Sequence, residues 1–260
     1  MSKHSKIIAV HLDGKLVRLD SHAIEDLSPG RLKGLGMFET MRTFAGEAAM
    51  LEEHLQRMKR GLKSVGMKSP LSMKRWRRTI ANVMKANHLR EARVRLTVWK
   101  ENGRRRYSVI CMPLVVPSEK EYRRGWDVVV SSIRRPASRL SHVKSTNYEI
   151  FLKAYEEAKR KGADEALLLN AAGHVVEASR SNIFWIKDQT LFTPAISTGC
   201  LNGIMRQRII RLSHQNGVKV SMVKAPLKSL LAADTIFLTN SVIGIMPVRF
   251  LGADGSGDLM

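Results

Sequence analysis

Helical and strand periods alternate along this 260-residue sequence, and they predict a mixed α/β (α+β) fold in two domains. Three observations carry that prediction. Leu51, Leu55, Met58, Leu62 and Val65 recur at three- and four-residue steps, the period of an amphipathic helix. Val94, Leu96 and Val98 alternate with Arg93, Arg95 and Thr97, the period of a strand. Later strands follow one another across turns such as Ala172-Gly173 and Asp188-Gln189, which speaks against a pure βαβ repeat. At about 150 residues per domain the length suits one large domain or two modest ones.

In chain order, Ile7 to His11 and Lys15 to Leu19 flank an Asp13-Gly14 turn signal and read as a hairpin. A glycine-punctuated stretch (Gly30, Gly34, Gly36) leads to Met37–Phe44, then to the helix carrying Leu51 and its partners. A second helix spans about Ser72 to Asn87, followed by strands at Arg93–Trp99 and Tyr107–Val116. Pro117-Ser118-Glu119-Lys120-Glu121 is polar and lacks apolar periodicity, so 117–124 is the expected linker between a domain at 1–116 and a larger one at 125–260. The second domain reads as a strand at Asp127–Ser132, a helix at Asn147–Gly162, strands at Glu165–Asn170, His174–Ala178 and Asn182–Lys187, a helix at Gly203–Asn216 and a strand at Val218–Val223. A short helix, a strand at Thr235–Thr239 and a flexible tail at 252–257 complete it.

Composition excludes several classes. With 44% hydrophobic and 26% charged residues the chain is neither collagen-like nor wholly disordered. Its longest nearly apolar run, Val109 to Pro117, is about half the roughly 20 residues a membrane span needs, and the start lacks a signal-peptide core. Cys111 and Cys200 suggest neither a disulfide framework nor a metal pair, so a reducing cytoplasm is expected. The net charge of +21 is abnormal and favours anionic partners. The basic clusters (Arg75-Trp76-Arg77-Arg78, Arg104-Arg105-Arg106, Arg123-Arg124, Arg134-Arg135) are scattered along the chain, so a generally basic surface is expected and nucleic acid is not the expected partner.

Several motifs fail on their own terms. Gly34-Leu35-Gly36 has Glu39 where a dinucleotide fingerprint needs its third glycine, and no strand precedes it. No phosphate-binding G-x-x-x-x-G-K-[ST], zinc H-E-x-x-H, C-x-x-C or nucleophile-elbow G-x-S-x-G occurs, and the eight histidines show no ligand spacing; no metal is expected. What remains are polar segments at element ends: Lys144-Ser145-Thr146-Asn147-Tyr148 before a helix, Glu177 through Phe184, Leu201-Asn202-Gly203-Ile204 opening a helix, and Thr239-Asn240-Ser241 ending a strand. Singly, each reads equally well as a solvated turn or a cap.

Together with Gly36-Met37-Phe38-Glu39-Thr40 and His54-Leu55-Gln56-Arg57, in this order, they make the chain resemble the class IV family of pyridoxal-phosphate enzymes. That family holds branched-chain and D-amino acid aminotransferases and aminodeoxychorismate lyase. The likeness runs from about Leu12 to Val248. It implies the two-domain fold type IV of such enzymes, a homodimer, and pyridoxal 5′-phosphate in the interdomain cleft.

The resemblance makes Lys144 the lysine that condenses with the cofactor aldehyde and later moves the proton at the substrate carbon; a tunable primary amine suits both tasks. It gives Glu177 to the pyridine nitrogen, which a carboxylate keeps protonated. Arg57, the backbone N–H groups of Gly203, Ile204 and Met205, and Ser241 with Thr239 or Asn240 are implied for the phosphate. Met205 stands where many relatives have threonine, so that hydroxyl is missing and the backbone donor remains. Tyr148 is implied near the ring hydroxyl, with an apolar or structural role as the alternative. Phe38, Thr40, Arg93, Arg95 and Lys100 are the candidate substrate contacts, although lyases often have arginine near the place of Lys100. The spacing of Tyr148 from Lys144 favours the D-amino acid aminotransferase or lyase branches, and the Leu201–Arg206 and Thr239–Val248 segments look most like 4-amino-4-deoxychorismate lyase, which forms 4-aminobenzoate and pyruvate. An aminotransferase of the D-amino acid or branched-chain type is the alternative, and a basic nucleic-acid-binding protein on the same fold a remote one.

Overall fold

The computed structural model describes residues 7–136, 138 and 140–252; the expected flexible tail lies outside them from residue 253 onward. The chain divides into two compact units, Met1–Val115 with Val143–Glu149, and Val116–His142 with Ile150–Met260. Val143–Glu149 belongs with the first unit although it lies in the second half of the sequence. The reason is its backbone pairing with the strand at Gly36–Phe44.

The first unit contains β1 (Ile8–Leu12), β2 (Lys15–Leu19), α1 (Ser21–Asp26), β3 (Gly36–Phe44), β4 (Glu47–Ala48), α2 (Leu51–Ser64), α3 (Met73–Ala86), β5 (Ala92–Glu101) and β6 (Arg104–Pro113). Its sheet runs β2-β1-β6-β5-β3-β4. The β1–β2 turn places Asp13 at φ 48° and Gly14 at φ 95°, the two left-handed residues a tight hairpin needs. The apolar stripes of α2 (Leu55, Met58, Leu62) and α3 (Trp76, Ile80, Val83) pack on one sheet face against Met37, Met41, Val94, Leu96 and Val98. The six-residue α1, too short to show a period, is capped by Asp20 and seats Ile24 on the opposite face against Ile8, Val10 and Ile110.

The second unit contains α4 (Glu119–Arg124), β7 (Trp126–Arg135), α5 (Glu149–Arg160, whose first residue falls in the first unit), β8 (Glu165–Asn170), β9 (Val175–Ala178), β10 (Asn182–Lys187), β11 (Thr190–Pro194), α6 (Ile204–Gln215), β12 (Val220–Val223), α7 (Lys228–Leu231), β13 (Thr235–Asn240) and β14 (Gly244–Gly252). Its eight strands run β12-β11-β10-β13-β14-β7-β8-β9. Antiparallel pairs mix with parallel ones at β11/β12, β14/β7 and β7/β8. Val128, Leu167, Ile183, Trp185, Ile236 and Leu238 form its main core.

The expected linker, 117–124, is largely helix. Ser118 accepts from the Glu121 N–H while Glu121 reaches back to the Ser118 N–H, a capping box that starts α4 without an apolar stripe. Among the described residues no helix is long and apolar enough to cross a membrane.

Candidate active site

Lys144 lies in a loop that the first unit's sheet treats almost as an added strand. The Phe38 N–H donates to the Lys144 carbonyl at 2.9 Å, the Thr146 N–H to the Gly36 carbonyl at 2.8 Å, and Met37 and Ser145 form an antiparallel bridge. A side chain on Gly36 would meet the Val98 carbonyl oxygen at 2.3 Å, so only glycine lets β3 approach β5 there. The Lys144 Nζ stands 4.5 Å from the centre of the Phe38 ring and 5.7 Å from that of Tyr148. The two rings meet edge to face at 5.2 Å. They confine a primary amine, the one side-chain group here suited to condense with an aldehyde.

Arg57, on the buried side of α2, is clamped by Glu39 on β3. Its Nε donates to Glu39 Oε1 at 2.8 Å and its Nη2 to Glu39 Oε2 at 2.5 Å. His54, one helical turn earlier, brings Nδ1 within 2.6 Å of the same Oε2. Glu39 is 0% exposed. Burial alone would raise its carboxyl, yet the Arg57 charge and the hydrogen bonds from Arg57 and His54 hold it at about 2. The fork therefore has a fixed plane before any ligand arrives.

The candidate substrate residues divide between the two faces of the sheet. Phe38 pairs with Thr97 and Thr40 with Arg95 across β3 and β5, so alternation puts Phe38, Thr40, Arg93 and Arg95 on one face. Lys100, an odd number of residues from Arg95 and Arg93, falls on the other face and is exposed. The structure therefore does not gather it with the rest. Burial and the neighbouring Arg93 charge pull Arg95 down to about 10.

In the second unit, Glu177 on β9 is buried. Its Oε2 accepts from the Leu201 N–H at 3.0 Å, and Arg135 Nε lies 3.8 Å from its Oε1. Gly203 precedes α6 with no side-chain cap, so the N–H groups of Ile204, Met205 and Arg206 have no intrahelical acceptor. Beneath them Asn182 Nδ2 donates to the Leu201 carbonyl at 2.8 Å and Arg206 Nη2 to the Pro194 carbonyl at 2.9 Å. Thr239 and Asn240 are engaged in the β13–β14 turn. The Thr239 hydroxyl donates to the Gly244 carbonyl at 2.8 Å, and Asn240 Oδ1 accepts from the Val242 and Ile243 N–H groups at 2.9 and 3.0 Å. Ser241, by contrast, has no hydrogen-bond partner among the described residues.

The sequence motifs contain Glu39 and His54 without marking a role for either, and Arg135 stands in the sequence only as part of one of the basic clusters expected on the surface. The signal for the first pair was the three-residue step from His54 to Arg57 on one helix face. For Arg135 it was strand alternation: Arg134 and Arg135 cannot both point outward, and Arg135 is the buried one, its guanidinium 4.8 Å from the Phe151 ring centre.

Residues 36–251 match the family described as amino-transferase class IV. A protein of Methanocaldococcus jannaschii, provisionally named a branched-chain-amino-acid aminotransferase, is 32% identical over 92% of this chain and 86% of its own length. The aminodeoxychorismate lyase of Bacillus subtilis is 28% identical over 92% of this chain and 85% of its own. Among solved structures, the T.th. branched-chain amino acid aminotransferase with pyridoxamine 5′-phosphate superposes with a TM-score of 0.82 at 27% identity, covering 98% of this chain and 90% of that one.

Proposed function

Because the chain belongs to the class IV aminotransferase family, we propose that it is a lyase cleaving 4-amino-4-deoxychorismate to 4-aminobenzoate and pyruvate, acting as a cytoplasmic homodimer. Enzymes of this family use pyridoxal 5′-phosphate. When bound, that cofactor supplies an electron sink for the carbon carrying the substrate amine. The residues present fit it: a confined amine at Lys144, a pre-clamped arginine at Arg57, uncapped N–H groups at the start of α6, the Ser241 hydroxyl, and a buried carboxylate at Glu177.

Arg57, the Ile204 and Met205 N–H groups and Ser241 would hold the phosphate, and Glu177 the pyridine nitrogen. Tyr148 would lie by the ring hydroxyl. The Lys144 amine takes the proton from the amine-bearing carbon of the substrate. The C–O bond to the enolpyruvyl group then breaks, and a proton returned to that group releases pyruvate and leaves 4-aminobenzoate. Thr40, Arg93 and Arg95 hold the substrate carboxylates.

The observation that carries the lyase reading is the pairing of Thr40 with Arg95 on the face that also bears Phe38, over which the Lys144 amine stands. That strip is polar and cationic, suited to a dicarboxylate rather than to an aliphatic side chain. The relative at 32% identity favours a second reading, a branched-chain aminotransferase. Absorbance spectra of wild type and Lys144→Ala with pyridoxal phosphate test the cofactor role: a visible band that borohydride fixes in wild type and that the variant lacks is expected. Pyruvate and 4-aminobenzoate released from aminodeoxychorismate identify the lyase. Turnover of L-leucine with 2-oxoglutarate and no pyruvate release would overturn it in favour of the transaminase.

A further inference from the structure

The charge of the molecule is unevenly placed. The first unit's segments hold 25 Lys and Arg against 11 Asp and Glu. Several of those acids are already committed: Glu39 to Arg57, Glu47 to Arg77, Glu25 to Arg31, and Asp13 and Glu101 to Arg106. Lys68, Lys74, Arg75, Arg78, Arg104 and Arg105 are exposed and, among the described residues, have no carboxylate within 4.0 Å.

Basic clusters that are apart in sequence meet in space. Trp76 on α3 packs edge to face on Tyr107 of β6 with ring centres 5.7 Å apart, which lays the first turn of α3 beside the start of β6. Arg105 Nη1 donates to the Lys68 carbonyl at 3.4 Å, closing the third side. Burial and the Asp13 carboxylate raise the Tyr107 phenol while the Arg75 and Arg105 charges oppose them. Along α3, Lys74, Arg75, Arg78 and Lys85 fall within about 100° of one another at 100° per residue, opposite the buried Trp76, Ile80, Val83 and Met84. The helix contains no acidic residue.

We propose that this surface, formed by Lys68, the outer side of α3 and the Arg104–Arg105 end of β6, binds the phosphodiester backbone of a duplex nucleic acid in addition to the enzymatic role. Arginine-rich, unpaired and exposed, it has the donor chemistry that phosphate oxygens take. A membrane-docking helix would offer several apolar side chains for insertion, and those of α3, apart from Met73 at its first position, are turned into the core. A protein interface would need an aromatic or apolar centre, and a single-strand groove would need aromatic faces for stacking. Here Tyr107 is half-buried and packed against Trp76. Base edges need not be read, so the binding follows charge rather than sequence.

The test is fluorescence anisotropy of a labelled mixed-sequence duplex of 20 base pairs, titrated with full-length protein from 50 to 300 mM salt. Its comparators are the triple variant Lys68→Glu, Arg75→Glu, Arg105→Glu and a charge-matched control, Lys219→Glu, Lys224→Glu, Lys228→Glu. These control lysines are exposed on the second unit. Wild type is expected to bind with a log–log salt slope of about −4 to −5, near −0.9 per phosphate contact. The triple variant should lose more than tenfold in affinity and flatten that slope by about 2 to 3, with enzymatic turnover unchanged and a thermal midpoint no lower than that of wild type. The control should retain binding. Equal loss in both variants, undiminished binding by the triple variant, or tighter binding to the single strand or to anionic vesicles than to the duplex would each overturn the proposal.

Discussion

Glu39 is fully buried and fixes the guanidinium that the cofactor phosphate is proposed to meet. Its carboxyl sits at about 2 against an ordinary 4.5. A depressed folded value means its stabilisation is complete above the unfolded value and is lost as pH falls toward 2; the difference is on the order of 3 kcal/mol. Glu39→Gln should therefore lower stability at pH 7 by about 3 kcal/mol, as breaking a buried pair does. It should also flatten the fall in urea midpoint between pH 4.5 and 2.5. The same variant should weaken pyridoxal phosphate binding at least tenfold while leaving unphosphorylated pyridoxal unaffected; equal losses for both would detach Glu39 from phosphate recognition. At Arg95, replacement by lysine keeps a charge but loses the planar fork. About a tenfold rise in KM for a dicarboxylate substrate, with kcat within about twofold, is expected from steady-state kinetics, some 1.4 kcal/mol of uniform binding.

The start of α6 shows the same economy at the level of an element. A Cβ on Gly203 would sit 2.0 Å from Asn182 Oδ1, and Asn182 is held in place by its bond to the Leu201 carbonyl. Gly203→Ala should cost about 1–3 kcal/mol through overpacking and reduce cofactor occupancy. Adding Asn182→Ala should restore part of the stability; a thermal-melt comparison in which the double variant is less stable than the single would refute that cause. At α4, Ser118→Ala removes half of a capping box and should cost about 1 kcal/mol, measured by urea denaturation. This element escaped sequence reading because its signal is a cap rather than a period. The same holds for α1, one and a half turns long, and for β4, two residues long. The longer elements, α2, α3 and β5, were legible because repeated burial on one side writes itself into the residue pattern.

For the molecule as a whole, +21 is a cost in self-repulsion that salt relieves. Raising NaCl from 50 to 500 mM should lift the thermal midpoint by a few degrees, the equivalent of about 1 kcal/mol. An equal concentration of a neutral osmolyte separates screening from general exclusion effects. The sequence by itself determined the order of most helices and strands, though not α1, β4, α4, β11 or β14, the mixed α and β class, and, through the ordered polar segments around Lys144, Glu177 and Gly203, the family and its cofactor. These features are local, each carried by a period or a motif within a few residues. Only the tertiary structure decided that Val143–Glu149 folds with β3, that Glu39, itself bonded by His54, clamps Arg57, that Lys100 turns away from Arg95, that the side chains of Thr239 and Asn240 bond into the turn after β13, and that Lys68, Arg75 and Arg105 share one surface. Each depends on which residues distant in sequence are brought within a few ångströms, and strand register and helix packing set that distance.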